Sequence, residues 1–208
     1  MSKEVVEIAS KHLGQTVSEY SDTYDPGLLV KVPRNLNRVA YNIQEDNLPF
    51  SGVDVWNAYE VSALTKTGRP VTGVLKITCP ADSVYHVESK SIKLYLNSFN
   101  MTQLGDTKVE CIAEIEKLIS GDLSKLLESD VTCKLHVTTE LDPYGNDVWL
   151  GFEDFDNIED LVDLDTVDFT AYKSDADQLE TYVPEEPEEI LFHTDLLRSN
   201  CRVTNQPD

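Results

Sequence analysis

Two alternating apolar stretches on either side of a six-residue turn constrain this chain more than any other feature. Val53, Val55, Tyr59, Val61 and Ala63 alternate with a second set that includes Trp56 and Ala58, the pattern of a two-faced strand. Thr65-Lys66-Thr67-Gly68-Arg69-Pro70 reads as a turn, Val71 to Cys79 as a second strand, and Pro80 as its end. The pair predicts a β-hairpin. Ile92, Tyr95, Leu96 and Phe99 then fall at i, i+3, i+4 and i+7, one face of a helix. A second helix starts at the capping box of Thr107 and Glu110 and carries Val109, Ile112, Ile115, Leu118 and Ile119 as its apolar positions. Gly121 marks a possible break in it, before Leu123 and Leu126. Val131, Cys133, Leu135 and Val137 alternate as a third strand, and the Asp142–Asn146 turn leads to a fourth, Val148 to Phe152. The order strand, strand, helix, helix, strand, strand predicts an α+β fold, an antiparallel sheet with both helices on one face.

Composition permits such a unit: 40% of the 208 residues are apolar. Residues 1–50 are turn-rich, broken by Pro26, Pro33 and Pro49, and read as an irregular N-terminal segment. No apolar run approaches the roughly 18 residues a membrane helix requires, and Met1 to Ser10 lack an export signal. Four scattered cysteines, with no CxxC pair and no His–Cys spacing for zinc, fit a reduced, cytoplasmic protein. A net charge of −21 disfavours direct contact with nucleic acid. The excess is concentrated: between Gly151 and Ile190 there are 15 acids and one base, Lys173. That segment reads as a solvated linker with one short strand. It lacks the central glycine and terminal glutamate of an EF-hand, so no metal is expected.

Chemistry-bearing residues sort by their surroundings. Cys79, Cys111 and Cys133 sit in apolar-periodic elements and read as small core hydrophobes. Cys201 lies in the polar turn Ser199-Asn200-Cys201-Arg202, with Asp208 seven residues on. There it is either an ordinary exposed thiol or a nucleophile whose thiolate Arg202 favours. Glu88 to Ser91 stand where a loop enters a helix. A carboxylate at that place either caps the helix or stays ionised and accepts two N–H donors from a guanine-like edge.

The stretch Glu88-Ser89-Lys90-Ser91-Ile92-Lys93-Leu94-Tyr95-Leu96-Asn97-Ser98-Phe99-Asn100 resembles the signature of the QueF-type nitrile reductases, of the longer, two-lobed branch. Three further blocks agree and stand in the right order. They are Tyr24-Asp25-Pro26 with Val32 to Arg38, Asp46 to Phe50 with Gly52, and Leu197 to Asp208. The resemblance implies a tunnelling fold (T-fold): a four-stranded antiparallel sheet with two helices on one face, over residues 51–152. Residues 153–208 would then be an acidic extension and the start of a second, incomplete T-fold unit. It implies NADPH-dependent reduction of 7-cyano-7-deazaguanine to its aminomethyl product, a step of queuosine biosynthesis and so of tRNA modification. Cys201 would form a thioimide and Asp208 would donate the proton. Val87, Glu88 and Ser89 would contact the deazapurine, and Ser89 and Lys90 the NADPH. In the family the chain continues past the Gln206-Pro207-Asp208 block into most of a second unit. The resemblance therefore leaves two forms open: an enzyme acting as a homo-oligomer or completed by a C-terminal lobe, and a non-catalytic binding half. Arg202 departs from the family's pattern, where an apolar residue is expected. Other T-fold enzymes that need zinc ligands are disfavoured, because His12, His86, His136 and His193 are isolated.

Overall fold

A computed structural model describes residues 21–137, 155–170, 190–194 and 196. The chain divides into two units, residues 1–140 with 208 and residues 141–207. In the first unit the predicted hairpin is the longest feature: β2 (Val53–Leu64) pairs antiparallel with β3 (Pro70–Pro80). Gly68 closes the turn. Its N–H donates to the Thr65 carbonyl at 2.8 Å, and its φ of 83° is a conformation that side chains disfavour. β3 pairs on its other side with β5 (Thr132–His136), so the described sheet runs β2-β3-β5, all antiparallel. The expected fourth strand, Val148 to Phe152, lies outside the described residues.

The alternation in β2 is not continuous. Ala58 faces Leu75 whereas Val61 faces Gly73, so one extra residue is accommodated between them. Such a bulge inverts the side-chain phase of everything beyond it. Trp56 and Ala58 therefore share a face with Val61 and Ala63 and pack on the core. Val53, Val55 and Tyr59, read from sequence as that same face, point the other way and are exposed. A period-2 pattern carries no mark of where an inserted residue sits, which is why the sequence reading merged the two faces.

The two helices form as expected. The first, α2 (Ser89–Asn97), buries Ile92, Tyr95 and Leu96, with Phe99 just beyond its end. The second, α3 (Lys108–Leu127), begins at the predicted box: Thr107 Oγ1 accepts from the Glu110 N–H and the Glu110 carboxylate accepts from the Thr107 N–H. It runs through Gly121 without a break. Its buried stripe is Cys111, Ile115, Ile119, Leu123 and Leu127, a strict spacing of four, and Val109 stands out in solvent. These residues join Val71, Leu75, Ile77, Cys79 and Leu135 of the sheet in one apolar cluster. The unit is α+β.

The segment before the hairpin is less irregular than its prolines suggest. Asp25 caps a 3-10 turn at Pro26–Leu28, and Lys31–Pro33 form a strand, β1, antiparallel to β4 (Tyr85–Val87). A short helix, α1 (Asn35–Arg38), follows, then a 3-10 turn at Val39–Tyr41. Two arginines hold this segment against the hairpin. Arg34 pairs with Asp54 and donates from Nε to Ser83 Oγ at 3.0 Å. Arg38, buried, pairs with Glu45 at 2.7 Å and donates to the Ala81 carbonyl. Tyr24 adds a third tie, since its hydroxyl and that of Tyr95 both donate to Asp122 Oδ2, at 2.7 and 2.6 Å.

In the second unit, β6 (Asp156–Asn157) pairs parallel with β7 (Phe192–His193). Between them lie a helical turn, α4 (Ile158–Leu161), and a 3-10 turn at Leu164–Thr166. Residues 155–170 of the acidic stretch thus carry short pieces of regular structure. Asn157 Oδ1 accepts from the Glu159 N–H at 3.0 Å, and Glu159 and Asp160 lie at the helix N-terminus, where negative charge is favoured.

Candidate functional site

The Val87–Lys90 block stands at the junction of β4 and α2, and the backbone of β1 holds it there. Lys31 pairs with Val87, Val32 with His86, and the Glu88 N–H donates to the Val30 carbonyl at 2.9 Å. Ser91 completes the hold. Fully buried, its hydroxyl donates to the Glu88 carbonyl at 2.7 Å and accepts from the Val30 N–H at 3.1 Å. Sequence reasoning passed over Ser91, because its partner lies 61 residues away in a segment with no recognisable pattern.

Glu88 is the N-cap of α2. Oε1 accepts from the Lys90 N–H at 3.1 Å and Oε2 from the Ser91 N–H at 2.6 Å, and the residue is 8% exposed. Capping was one of the two sequence readings, and it is what the geometry shows. It leaves the second role open. A carboxylate offers about four lone-pair sites, and two are used here.

Ser89 and Lys90 are half-buried in the first turn of α2. The Lys90 ammonium enters none of the ion pairs among the described residues, unlike Lys31 on Glu128, Lys66 on Asp106 and Lys134 on Glu116. A lysine so placed suits an anionic group such as a phosphate. The amides of Lys90 and Ser91 are not available for one, since Glu88 holds both.

Cys201 and Asp208 lie outside the described residues. The other cysteines fit core roles. Cys111 and Cys79 are buried, and Cys133, half-buried in β5, packs against the same cluster. Burial pushes the Cys133 thiol up to about 12, with the Glu116 carboxylate adding to the effect, and burial also raises Cys111. Both shifts work against formation of the nucleophilic thiolate. Among the described residues no group of His, Cys, Asp and Glu is arranged to hold a metal, and no helix is long and apolar enough to cross a membrane.

Residues 20–135 match the family described as "Nitrile reductase, 7-cyano-7-deazaguanine-reductase N-term". The chain is 42% identical over 191 residues to the NADPH-dependent 7-cyano-7-deazaguanine reductase of Rickettsia massiliae (strain Mtu5), covering 92% of this chain and 64% of that protein. To the reductase of the same name from Rickettsia akari (strain Hartford) it is 39% identical over 201 residues, 97% of this chain and 67% of that one. With that of Rickettsia prowazekii (strain Madrid E) the identity is 39% over 189 residues, 91% and 63% of the two chains. The chain thus spans about two thirds of the length of these relatives.

Proposed function

The chain belongs to the 7-cyano-7-deazaguanine reductase N-terminal family of nitrile reductases, and from that premise we propose that it serves NADPH-dependent reduction of the nitrile of 7-cyano-7-deazaguanine to the primary amine. The observation that carries this reading is the match of 92% of the chain, at 42% identity, to a reductase of that name. Its place would be queuosine biosynthesis, and a cytoplasmic location goes with it. The fold would be the T-fold, with Val148 to Phe152 as the fourth strand.

In this reading the Glu88 lone pairs left over by the cap accept the ring N–H and amino group of the deazapurine, with Val87 and Ser89 beside them. Low exposure strengthens such bonds, because water competes for them less. Ser89 and the ammonium of Lys90 hold a phosphate of NADPH, which supplies hydride when bound. Cys201 adds its sulfur to the nitrile carbon while Asp208 gives a proton to the nitrogen, so the C≡N bond becomes the C=N of a thioimide. The sulfur leaves after the first reduction, and the imine so released takes the second. The oxidation level falls by four electrons in all.

The test is intact mass spectrometry of the chain incubated with 7-cyano-7-deazaguanine together with a separately expressed polypeptide that matches the final third of its relatives. A gain of one substrate mass is expected, and its loss in Cys201→Ala. An adduct that survives in Cys201→Ala would remove the cysteine from its role.

A further inference from the structure

We propose that His86 is a positioning residue for Glu88: its neutral ring is part of what seats β4 on β1, and a proton taken up by that ring favours opening of the strand. Its bearing on a ligand rests on the function proposed above, whereas the hold follows from the first unit alone.

His86 stands two residues before Glu88 and pairs with Val32 in the short ladder between β1 and β4. Its Nδ1 lies 3.2 Å from the Val87 carbonyl. A carbonyl can only accept, so Nδ1 carries the proton of the neutral ring. Nε2 is buried and has no hydrogen-bond partner among the described residues. A second proton would have to go there. It would create a buried N–H with no acceptor, on a ring that has become charged.

The surroundings do not compensate that charge. Burial lowers the ring's pKa below the ordinary 6.5 and the Arg34 guanidinium lowers it further, while the Val87 carbonyl, Asp54 of β2 and Glu88 pull the other way and each does less. Both carboxylates are already engaged, Asp54 by Arg34 and Glu88 by the Lys90 and Ser91 amides. Arg38 of α1, which lines the same hollow as His86, is matched by Glu45. Lys31 of β1 lies over the Tyr85 ring and pairs with Glu128.

The closed strand therefore excludes a proton that the open strand accepts. With β4 lifted from β1 the ring is in water and titrates near its ordinary 6.5. Above that value the neutral ring fits the closed strand, and below it each pH unit favours the open form by about tenfold. Opening breaks the bond from the Glu88 N–H to the Val30 carbonyl, so the exchange of that amide reads the event directly.

The experiment compares the full chain with His86→Phe and His86→Gln, neither of which takes up a proton in this range. Between about pH 7.5 and about pH 5.5, protection of the Glu88 amide, corrected for its intrinsic exchange rate, is expected to fall about tenfold in the wild type and to hold steady in the variants. An equal fall in all three would overturn the proposal, since another group would then carry the acid response. Where neither variant folds, the ¹⁵N signals of the wild-type His86 ring decide. Proton uptake in step with the loss of Glu88 protection upholds the role, and uptake with the amide still protected overturns it. Saturating 7-cyano-7-deazaguanine, which in the reading above binds only the closed strand, is expected to restore the protection lost in acid. If the ligand adds no protection at either pH while the wild type and variants differ as described, the hold by His86 stands and the reading of Glu88 as a ligand contact fails.

Discussion

At the scale of single residues, Glu88 shows how a structural and a ligand-binding role can share one carboxylate. Its two oxygens hold the Lys90 and Ser91 amides, so Glu88→Gln is not a clean probe of binding. A glutamine offers one oxygen and one NH₂, and the NH₂ would oppose an amide donor. That variant is expected to lose about 1–2 kcal/mol of stability whatever it does to a ligand. Glu88→Asp separates the roles, since aspartate is among the best N-cap residues. Its thermal unfolding should stay close to wild type, while the shorter side chain weakens 7-cyano-7-deazaguanine by about tenfold or more in calorimetry. Undiminished binding by Glu88→Asp would confine Glu88 to capping. The cap was legible in the sequence as one of two readings, because a loop-to-helix boundary with an acid there is a local pattern. The Ser91 bridge to Val30 was not, because it depends on a pairing between β1 and β4 that no local pattern announces.

At the scale of elements, what the sequence showed well was periodicity within a segment. The hairpin, both helices, the Thr107 box and the core roles of Cys79 and Cys111 all follow from spacing a few residues long. What it hid was any property set by contact between distant segments: the bulge that turns Val53 and Val55 outward, the short strand β1, and the Arg34 and Arg38 pairs. Glycines make the same point with a sign. A Cβ on Gly73 would stand 2.4 Å from the His136 carbonyl oxygen and 3.1 Å from Leu135 Cδ1, so β3 and β5 approach too closely for one. A Cβ on Gly121, inside α3, would meet nothing within 4 Å. Gly73→Ala is therefore expected to destabilise by about 1–3 kcal/mol through overpacking. Gly121→Ala should stabilise by about 0.5–1 kcal/mol through helix propensity. Urea unfolding of the two variants measures both, and shifts of the same sign would contradict the packing described for one of them.

At the scale of the whole molecule, the question is what 208 residues can do when their relatives are longer. The match covers 64% of the Rickettsia massiliae reductase, so the rest of that protein's length has no counterpart in these residues. The proposed ligand contacts at Val87, Glu88 and Ser89 belong to the first unit, where β1, β4 and α2 position them. Binding of the deazapurine should therefore survive in the 208-residue polypeptide. Turnover asks for more. The Cys201 sulfur, the Asp208 proton and the hydride donor must each come within about 3–3.5 Å of the reacting atoms, and a small misplacement costs orders of magnitude in rate. Fixing the backbone of each residue that carries these groups costs about 1–2 kcal/mol. Packing against a second lobe, or a second copy of the chain, would offset that cost. The 208 residues alone are accordingly expected to bind 7-cyano-7-deazaguanine but to oxidise little NADPH. Adding a separately expressed polypeptide that matches the final third of the relatives is expected to restore NADPH oxidation. Calorimetry follows the first part and cofactor absorbance the second. Turnover at about 1 s⁻¹ or faster by the 208 residues alone, a rate within the ordinary enzyme range, would show that no complementing lobe is needed.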